Sequence, residues 1–227
     1  MIVHDFSNEK SVLNQFILEM RDVSIQKDSM RFRKNIERIG EILSYEMSKT
    51  LHYKTEVVKT PLGEKEMKVP ETDIVVCSIL RAALPLHTGV ISFFDKAENA
   101  YISAYRHHTD GSDNFEVIVN YLASPSIENK TLILTDPMLA TGRTLENVLK
   151  AFKTHGTPKQ IHILSIIGAK PGIEYIQDIF PKNTHLWIAA VDEKLNSRGY
   201  ILPGLGDAGD LAFGVKLWLF KILNIVT

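Results

Sequence analysis

The chain has 227 residues, 44% hydrophobic and 23% charged, with 26 basic against 27 acidic side chains. That length and composition suit one large globular domain whose core needs neither disulfides nor metals. A net charge of −1 supplies no global basic field for nucleic acid, and the single cysteine, Cys77, excludes an internal disulfide and a cysteine-rich zinc site.

The first ten residues, MIVHDFSNEK, carry no basic region followed by an apolar stretch, so no signal peptide is expected. Residues 8–50 read as helical. Val12, Leu13, Phe16, Ile17 and Met20 share one face, and Phe32, Ile36, Ile39, Leu43 and Met47 share another. TEVVKTPLGEKEMKV (55–69) is too polar for a central strand and reads as a protruding hairpin arm turning at residues 61–63. From residue 73 the rhythm changes. IVVCSI (74–79) is a continuous apolar run that places Cys77 in a buried strand. AYISAY (100–105), FEVIVNYL (115–122), TLILT (131–135), IHILSIIG (161–168) and HLWIAAV (185–191) are further candidate strands. Helical patterns at 85–95, 144–155 and 172–179 separate several of them, which implies a largely parallel sheet covered on both faces. Ligands of such sheets bind beyond the C-terminal strand ends. The final LWLFKILNIVT (217–227) carries Lys221 and is too short to span a bilayer; a soluble, cytoplasmic protein without a membrane partner is expected. Left exposed, that tail forms a large apolar patch, so it is expected to pack on the helical N-terminal region and join a subunit contact.

The residues just after the apolar runs carry the chemistry. TLILT leads into DPMLATGRT, a turn between a strand end and a helix start. Such a turn points successive backbone N–H groups and the helix dipole into one concavity. Gly142 lets a ligand approach the backbone, and Thr141 and Thr144 add hydroxyls, which suits a phosphate. Asp136 is repelled by phosphate and should face hydroxyls or a metal, so a ligand with both a phosphate and a sugar diol satisfies the whole turn. An Asp-Pro turn with a threonine N-cap explains several of these residues without a ligand.

The DPMLATG run (136–142) is similar to the phosphoribosyl-diphosphate (PRPP) motif of type I phosphoribosyltransferases, in the form that uracil phosphoribosyltransferases carry, with the single acid Asp136 after Thr135. LRAALPLHTGV (80–90) resembles the family's diphosphate loop and contributes Arg81, a guanidinium fork suited to phosphate oxygens. Ala83 stands where the family usually has glycine, so its methyl group is expected to crowd that backbone. Arg106 matches the family's Tyr-Arg before a mobile loop; the adjacent His107, His108 and Asp110 are read as solvated loop residues rather than metal ligands. RGYILPGLGDAGDLAFG (198–214) is the strongest match. Its five glycines and proline suit the display of backbone donors and acceptors rather than regular structure, and by resemblance it is the loop that holds the base.

The resemblance implies an α/β fold: a type I phosphoribosyltransferase-like parallel sheet flanked by helices, within one domain over 1–227. Its parts are a helical lead-in (1–54), a β-hairpin arm (55–70), a PRPP-binding core (71–197), a C-terminal hood loop (198–216) and the apolar tail. It implies transfer of the 5-phosphoribosyl group from PRPP to uracil, giving UMP and diphosphate. Asp136, Arg81 and Arg106 carry catalysis, and Pro137, Met138, Leu139, Ala140, Thr141, Gly142, Arg143, Thr144 and Asp207 join them in holding PRPP. Ile201, Gly206, Asp207 and Ala208 hold uracil. Mg²⁺ is the implied cofactor, with no dedicated cage of protein ligands in the sequence. Uracil and PRPP are the implied partners, together with a second copy in a homodimer or higher homo-oligomer and GTP as an effector. Arg143 remains open at this point: beside the 5-phosphate, turned to solvent, or blocking the pocket. A non-catalytic regulator on the same fold, which senses PRPP or a nucleotide, is the alternative, and the departures at Ala83 and Arg143 favour it.

Overall fold

The computed structural model describes residues 1–71, 73–108 and 115–216. In chain order these form β1 (Ile2–Asp5), α1 (Leu13–Arg21), α2 (Ser29–Ser48), β2 (Tyr53–Thr60), β3 (Gly63–Pro70), β4 (Ile74–Leu80), α3 (Leu84–Ile91), β5 (Glu98–His108) and β6 (Phe115–Ala123). There follow β7 (Thr131–Thr135), β8 (Met138–Leu139), α4 (Arg143–Ala151), β9 (Gln160–Ala169), α5 (Lys170–Ile179), β10 (His185–Asp192), β11 (Lys194–Leu195), β12 (Ile201–Leu202) and α6 (Ala208–Phe213).

One sheet organises the molecule, in the order β1-β10-β9-β7-β4-β5-β6, with β8 paired to β9. Every pairing in it is parallel except β5 with β6. Alternation along the apolar strands explains the layers. Val76, Ile133 and Leu164 pack with α1, α2 and α3, while Cys77, Leu134 and Ile163 pack with α4 and α5. Cys77 is fully buried and its thiol is pushed up to about 12 by that burial, the state of a structural rather than a reactive cysteine.

The sequence expectations meet the structure with instructive differences. The 8–50 region is two helices: Asp28 caps the second by accepting the Arg31 backbone N–H at 3.0 Å. Its expected face, Phe32, Ile36, Ile39, Leu43 and Met47, is wholly buried. Val12 stands before α1 rather than on its buried face and is exposed. The arm is an antiparallel hairpin in which Thr60 pairs with Gly63. The opening residues form an edge strand, β1, that apolar patterning did not reveal because only four residues pair, along β10. The tail at 217–227 and Asp110 lie outside the described residues.

A histidine cluster spans β1, β9 and β10. His4 stacks on Trp187 with ring centroids 3.7 Å apart, and its Nε2 lies 3.0 Å from His185 Nδ1. Trp187 Nε1 donates to the buried His162 Nδ1 at 3.1 Å. Burial, then the neighbouring His185 and His4, push His162 down to about 3. Folding therefore holds His162 neutral, whereas the unfolded chain protonates it near its ordinary value of about 6.5. Its contribution to stability is complete above that value and is lost as pH falls toward 3. Thermal melts from pH 7.5 to 5 should show a falling midpoint. His162→Asn should remove up to one proton's share of that slope, about 1.4 kcal/mol per pH unit. An identical slope in wild type and variant would contradict this reading.

Candidate active site

The site grows out of the end of β7. Thr135 is buried and its Oγ1 donates to the Cys77 carbonyl at 3.1 Å, tying β7 to β4. The Asp136 backbone N–H donates to the Leu164 carbonyl at 3.1 Å, which continues the pairing to β9 for one residue. The Asp136 carboxylate then turns to the pocket, 9% exposed, with Oδ1 accepting the Met138 N–H at 3.1 Å. The Pro137 carbonyl accepts N–H groups from both Ile166 and Ile167, which folds Met138 and Leu139 back against β9 as β8. The chain next reaches Gly142 at φ +77°, a left-handed position that favours glycine, and enters α4. Asp136, Met138, Leu139, Ala140, Thr141, Gly142, Thr144 and Leu145 line one small pocket there. Arg143 does not. Its guanidinium carbon lies 4.4 Å from the centre of the Tyr175 ring on α5, and its Nη1 is 3.3 Å from Glu146. Of the three alternatives for Arg143, the side chain is turned out of the pocket.

Arg81 follows a cis peptide bond after Leu80. Its Nη2 donates to Asp210 Oδ1 and to the Gly214 carbonyl, both at 3.1 Å, which brings it against the hood. Ala83 does not crowd this loop. Its φ of −77° and ψ of −9° are open to any L residue, and its methyl group is buried in the core. Arg106 lies on β5 in register with Val117 of β6.

The hood, expected to be irregular, is a short hairpin of β11 with β12 followed by α6. Asp207 makes that helix possible by capping it: its Oδ1 accepts the Asp210 N–H at 3.0 Å. Lys216 Nζ bridges Asp207 Oδ2 at 2.8 Å and Asp210 Oδ1 at 3.1 Å. Burial works to raise the Asp207 carboxyl, but Lys216 and the capped N–H outweigh it and hold the group below its ordinary value. The Ile201 side chain and the Ala208 methyl are buried, while Gly206 (φ +94°) is exposed.

What secures the hood was missed from the sequence. Arg21 on α1 pairs with both carboxylate oxygens of Asp192 at 2.8 Å. Asp192 Oδ2 also accepts the Gly204 N–H at 2.9 Å, and Arg21 Nη1 donates to the Gly204 carbonyl at 3.0 Å. One ion pair thus satisfies both backbone groups of a hood residue. Arg33 of α2 adds a 2.7 Å bond to the Ala212 carbonyl. Asp192 was findable, since it directly follows the HLWIAAV run at a strand end. Arg21, Arg33, Asp210 and Lys216 sit in ordinary charged contexts and gave no signal. A larger open groove of about 680 Å³ lies beside Arg21, between α1 and β10, and is lined partly by Ile17, Leu18, Ala189 and Ala190, away from Asp136. Among the described residues no group of three His, Cys, Asp or Glu is placed to hold a metal, and no helix is long and apolar enough to cross a membrane.

Comparison with known proteins bears directly on this arrangement. Residues 7–215 match the family model of uracil phosphoribosyltransferase. The chain belongs to the uracil phosphoribosyltransferase family. A uracil phosphoribosyltransferase of Porphyromonas gingivalis is 52% identical over 92% of this chain and 96% of its own. One from Thermococcus gammatolerans is 39% identical over 95% of this chain and 94% of its own. The solved AQ2163 protein from Aquifex aeolicus superposes with a TM-score of 0.83 at 29% identity, covering 96% of this chain and all of that one. The matched span includes the strand-end turn, the Arg81 loop and residues 198–215 of the hood.

If Arg21–Asp192 holds the hood in place, Arg21→Ala should strand a buried carboxylate. The expected loss is roughly 3 kcal/mol in a urea melt, with faster proteolysis after residue 193. Adding Asp192→Asn should recover part of it. Equal stability of Arg21→Ala and wild type would remove the pair from this role.

Proposed function

We propose that this protein transfers the 5-phosphoribosyl group of PRPP to uracil, with UMP and diphosphate as products. The observation that carries the reading is the meeting of two unlike surfaces at one sheet edge. A carboxylate followed by a glycine–threonine turn stands at the end of β7, and a hood rich in backbone groups hangs from the end of β10. Family membership supports the same reaction.

In this reading the backbone N–H groups at 142–144 and the hydroxyls of Thr141 and Thr144 hold the 5-phosphate at the N-terminus of α4, whose dipole favours an anion. Pro137, Met138, Leu139 and Ala140 shape that turn. Asp136 accepts from the ribose hydroxyls. It is already fixed by the Met138 N–H, so it needs little reorganisation on binding. Arg81 and Arg106 offset the charge of the departing diphosphate. The bond from C1′ to diphosphate breaks as the bond to uracil N1 forms, and the N1 proton passes to the departing diphosphate or to solvent. The ribose gains oxocarbenium character on the way, so fixed charges and positioning do most of the work. Ile201, Gly206 and Ala208 present the apolar wall and main-chain groups for the base, with Asp207 at the junction with PRPP.

The donor set suits Mg²⁺ that arrives with substrate: Asp136 stands at the strand end without a cage of further ligands, and Mg²⁺ is commonly held by one or two carboxylates plus phosphates. Such an ion would neutralise diphosphate charge. The accommodation of Ala83 removes a reason to prefer the non-catalytic regulator. We further assign the chain to the cytoplasm and to a homo-oligomer. Support for the oligomer comes from the arm, where Tyr53, Val57, Met67 and the fully exposed Leu62 stand in solvent.

Asp136→Asn should lower turnover by at least about 100-fold and leave the melting midpoint near wild type. UMP formation by this variant at the wild-type rate would refute the ribose role. Uracil should be preferred over cytosine by roughly four orders of magnitude, because cytosine sets an amino donor where the hood donates. Comparable rates with PRPP and Mg²⁺ on the two bases would refute the assignment of residues 201–208.

A further inference from the structure

We propose that the side chain of Arg143 is a positioning residue for the phosphate turn, acting through Tyr175 and Glu146 rather than by touching the phosphate. The inference rests on the reading of residues 141–144 as the 5-phosphate site.

The turn has little structure of its own to hold it, and α5 is its wall. Gly172 lies so close to the turn that a Cβ there would meet the Ala140 carbonyl oxygen at 1.9 Å. A Cβ on Gly142 would meet Ile176 Cγ2 at 2.7 Å and Tyr175 Cδ1 at 2.9 Å. Gly172, Tyr175 and Ile176 are spaced three and four apart, so one face of α5 supports the turn from end to end. Glycines permit this approach but contribute no attraction.

Arg143 supplies it. As the first residue of α4 it spans to α5, its guanidinium over the Tyr175 ring and in contact with the Tyr175 hydroxyl. Glu146, one turn along α4, closes the set: its Oε2 accepts from the Tyr175 hydroxyl at 2.6 Å and from Arg143 at 3.3 Å, while Oε1 accepts from Lys150 at 2.7 Å. These donors, Lys150 first and Tyr175 second, hold the Glu146 carboxyl down to about 2, so it is ionised at neutral pH. A guanidinium engaged by an anion and an aromatic face has to leave both to reach a phosphate. The backbone N–H of Arg143 is not part of that conflict: it points back into the turn, donating to Thr141 Oγ1 at 3.4 Å. One residue therefore does two separable things: its backbone closes the turn on Thr141, and its side chain clamps α4 to α5.

The contact is half exposed, and cation–π and ion-pair contacts at such sites are individually small. A turn displaced by a fraction of an ångström loses several donors together, so the effect on phosphate binding exceeds the effect on folding. The test measures ribose 5-phosphate binding by calorimetry without base, KM and kcat for PRPP, and thermal melts. The variants are Arg143→Ala, Glu146→Gln, Tyr175→Phe and the Arg143→Ala/Glu146→Gln double variant. The expected result is weaker ribose 5-phosphate binding and a raised KM for PRPP, about three- to tenfold in each single variant. Uracil KM and the melting midpoint should hardly move, and the double variant should be no worse than the poorer single. Wild-type binding in Glu146→Gln and Tyr175→Phe would overturn the proposal. So would a far larger loss in Arg143→Ala that adds fully to that of Glu146→Gln, the signature of a direct phosphate ligand. A wild-type chain that binds ribose 5-phosphate but makes no UMP would sink the uracil reaction and leave the clamp standing. A wild-type chain that does not bind ribose 5-phosphate would overturn both.

Discussion

Burial of both faces of β4, β7 and β9 governs the rest of the structure. These strands, covered on each side by helices, carry no acidic, lysine or arginine side chain along their length, so charged ligand-facing groups are displaced to their ends. The parallel direction of these strands puts their C-terminal ends on one edge, and Arg81 and Asp136 follow from that constraint. The N-terminus of α4 opens on the same edge, so the acid of the site and the dipole that favours an anion come from one crossover.

A sheet edge alone is an open shelf. What encloses it is the hood, a segment whose short strands and six-residue helix bury too little to hold themselves in place. Side chains from elsewhere secure it. Arg21 and Asp192 grip both backbone groups of Gly204, Arg33 takes the Ala212 carbonyl, and Arg81 reaches Asp210 and Gly214. The helical N-terminal region thus takes part in the site without facing the proposed ligands. Arg81 has a double attachment: it belongs to the proposed diphosphate loop and is held by the hood, so a ligand that draws on this guanidinium competes with Asp210. Lys216, already between Asp207 and Asp210, is placed to compensate that carboxylate.

Much of this was legible in the sequence, and the reasons differ by residue. Apolar runs without alternation identified the buried strands, and the position of Asp136 after TLILT followed from chain order alone. The resemblance singled out residues 198–214 by their closely spaced glycines, and the structure sets that segment against Arg81. The partners were not legible. Arg21 is separated by 171 residues from Asp192, and nothing local distinguishes a guanidinium that reaches a strand end from one in solvent. Ala83 shows the opposite failure: a family departure that looked obstructive is accommodated because the backbone there is right-handed. Arg143 was legible as a residue at the turn but not in its direction, which depends on a tyrosine 32 positions away.

The central claim is that PRPP lies along the end of β7 with the base under the hood. A crystal structure with uracil and a non-transferring analogue of PRPP tests it most directly. The account predicts the 5-phosphate inside the 141–144 turn, the ribose diol within hydrogen-bond distance of Asp136, and the base against the backbone of residues 201–208. A phosphate seated instead in the groove between α1 and β10, with Asp136 contacting no part of the ligand, would contradict it.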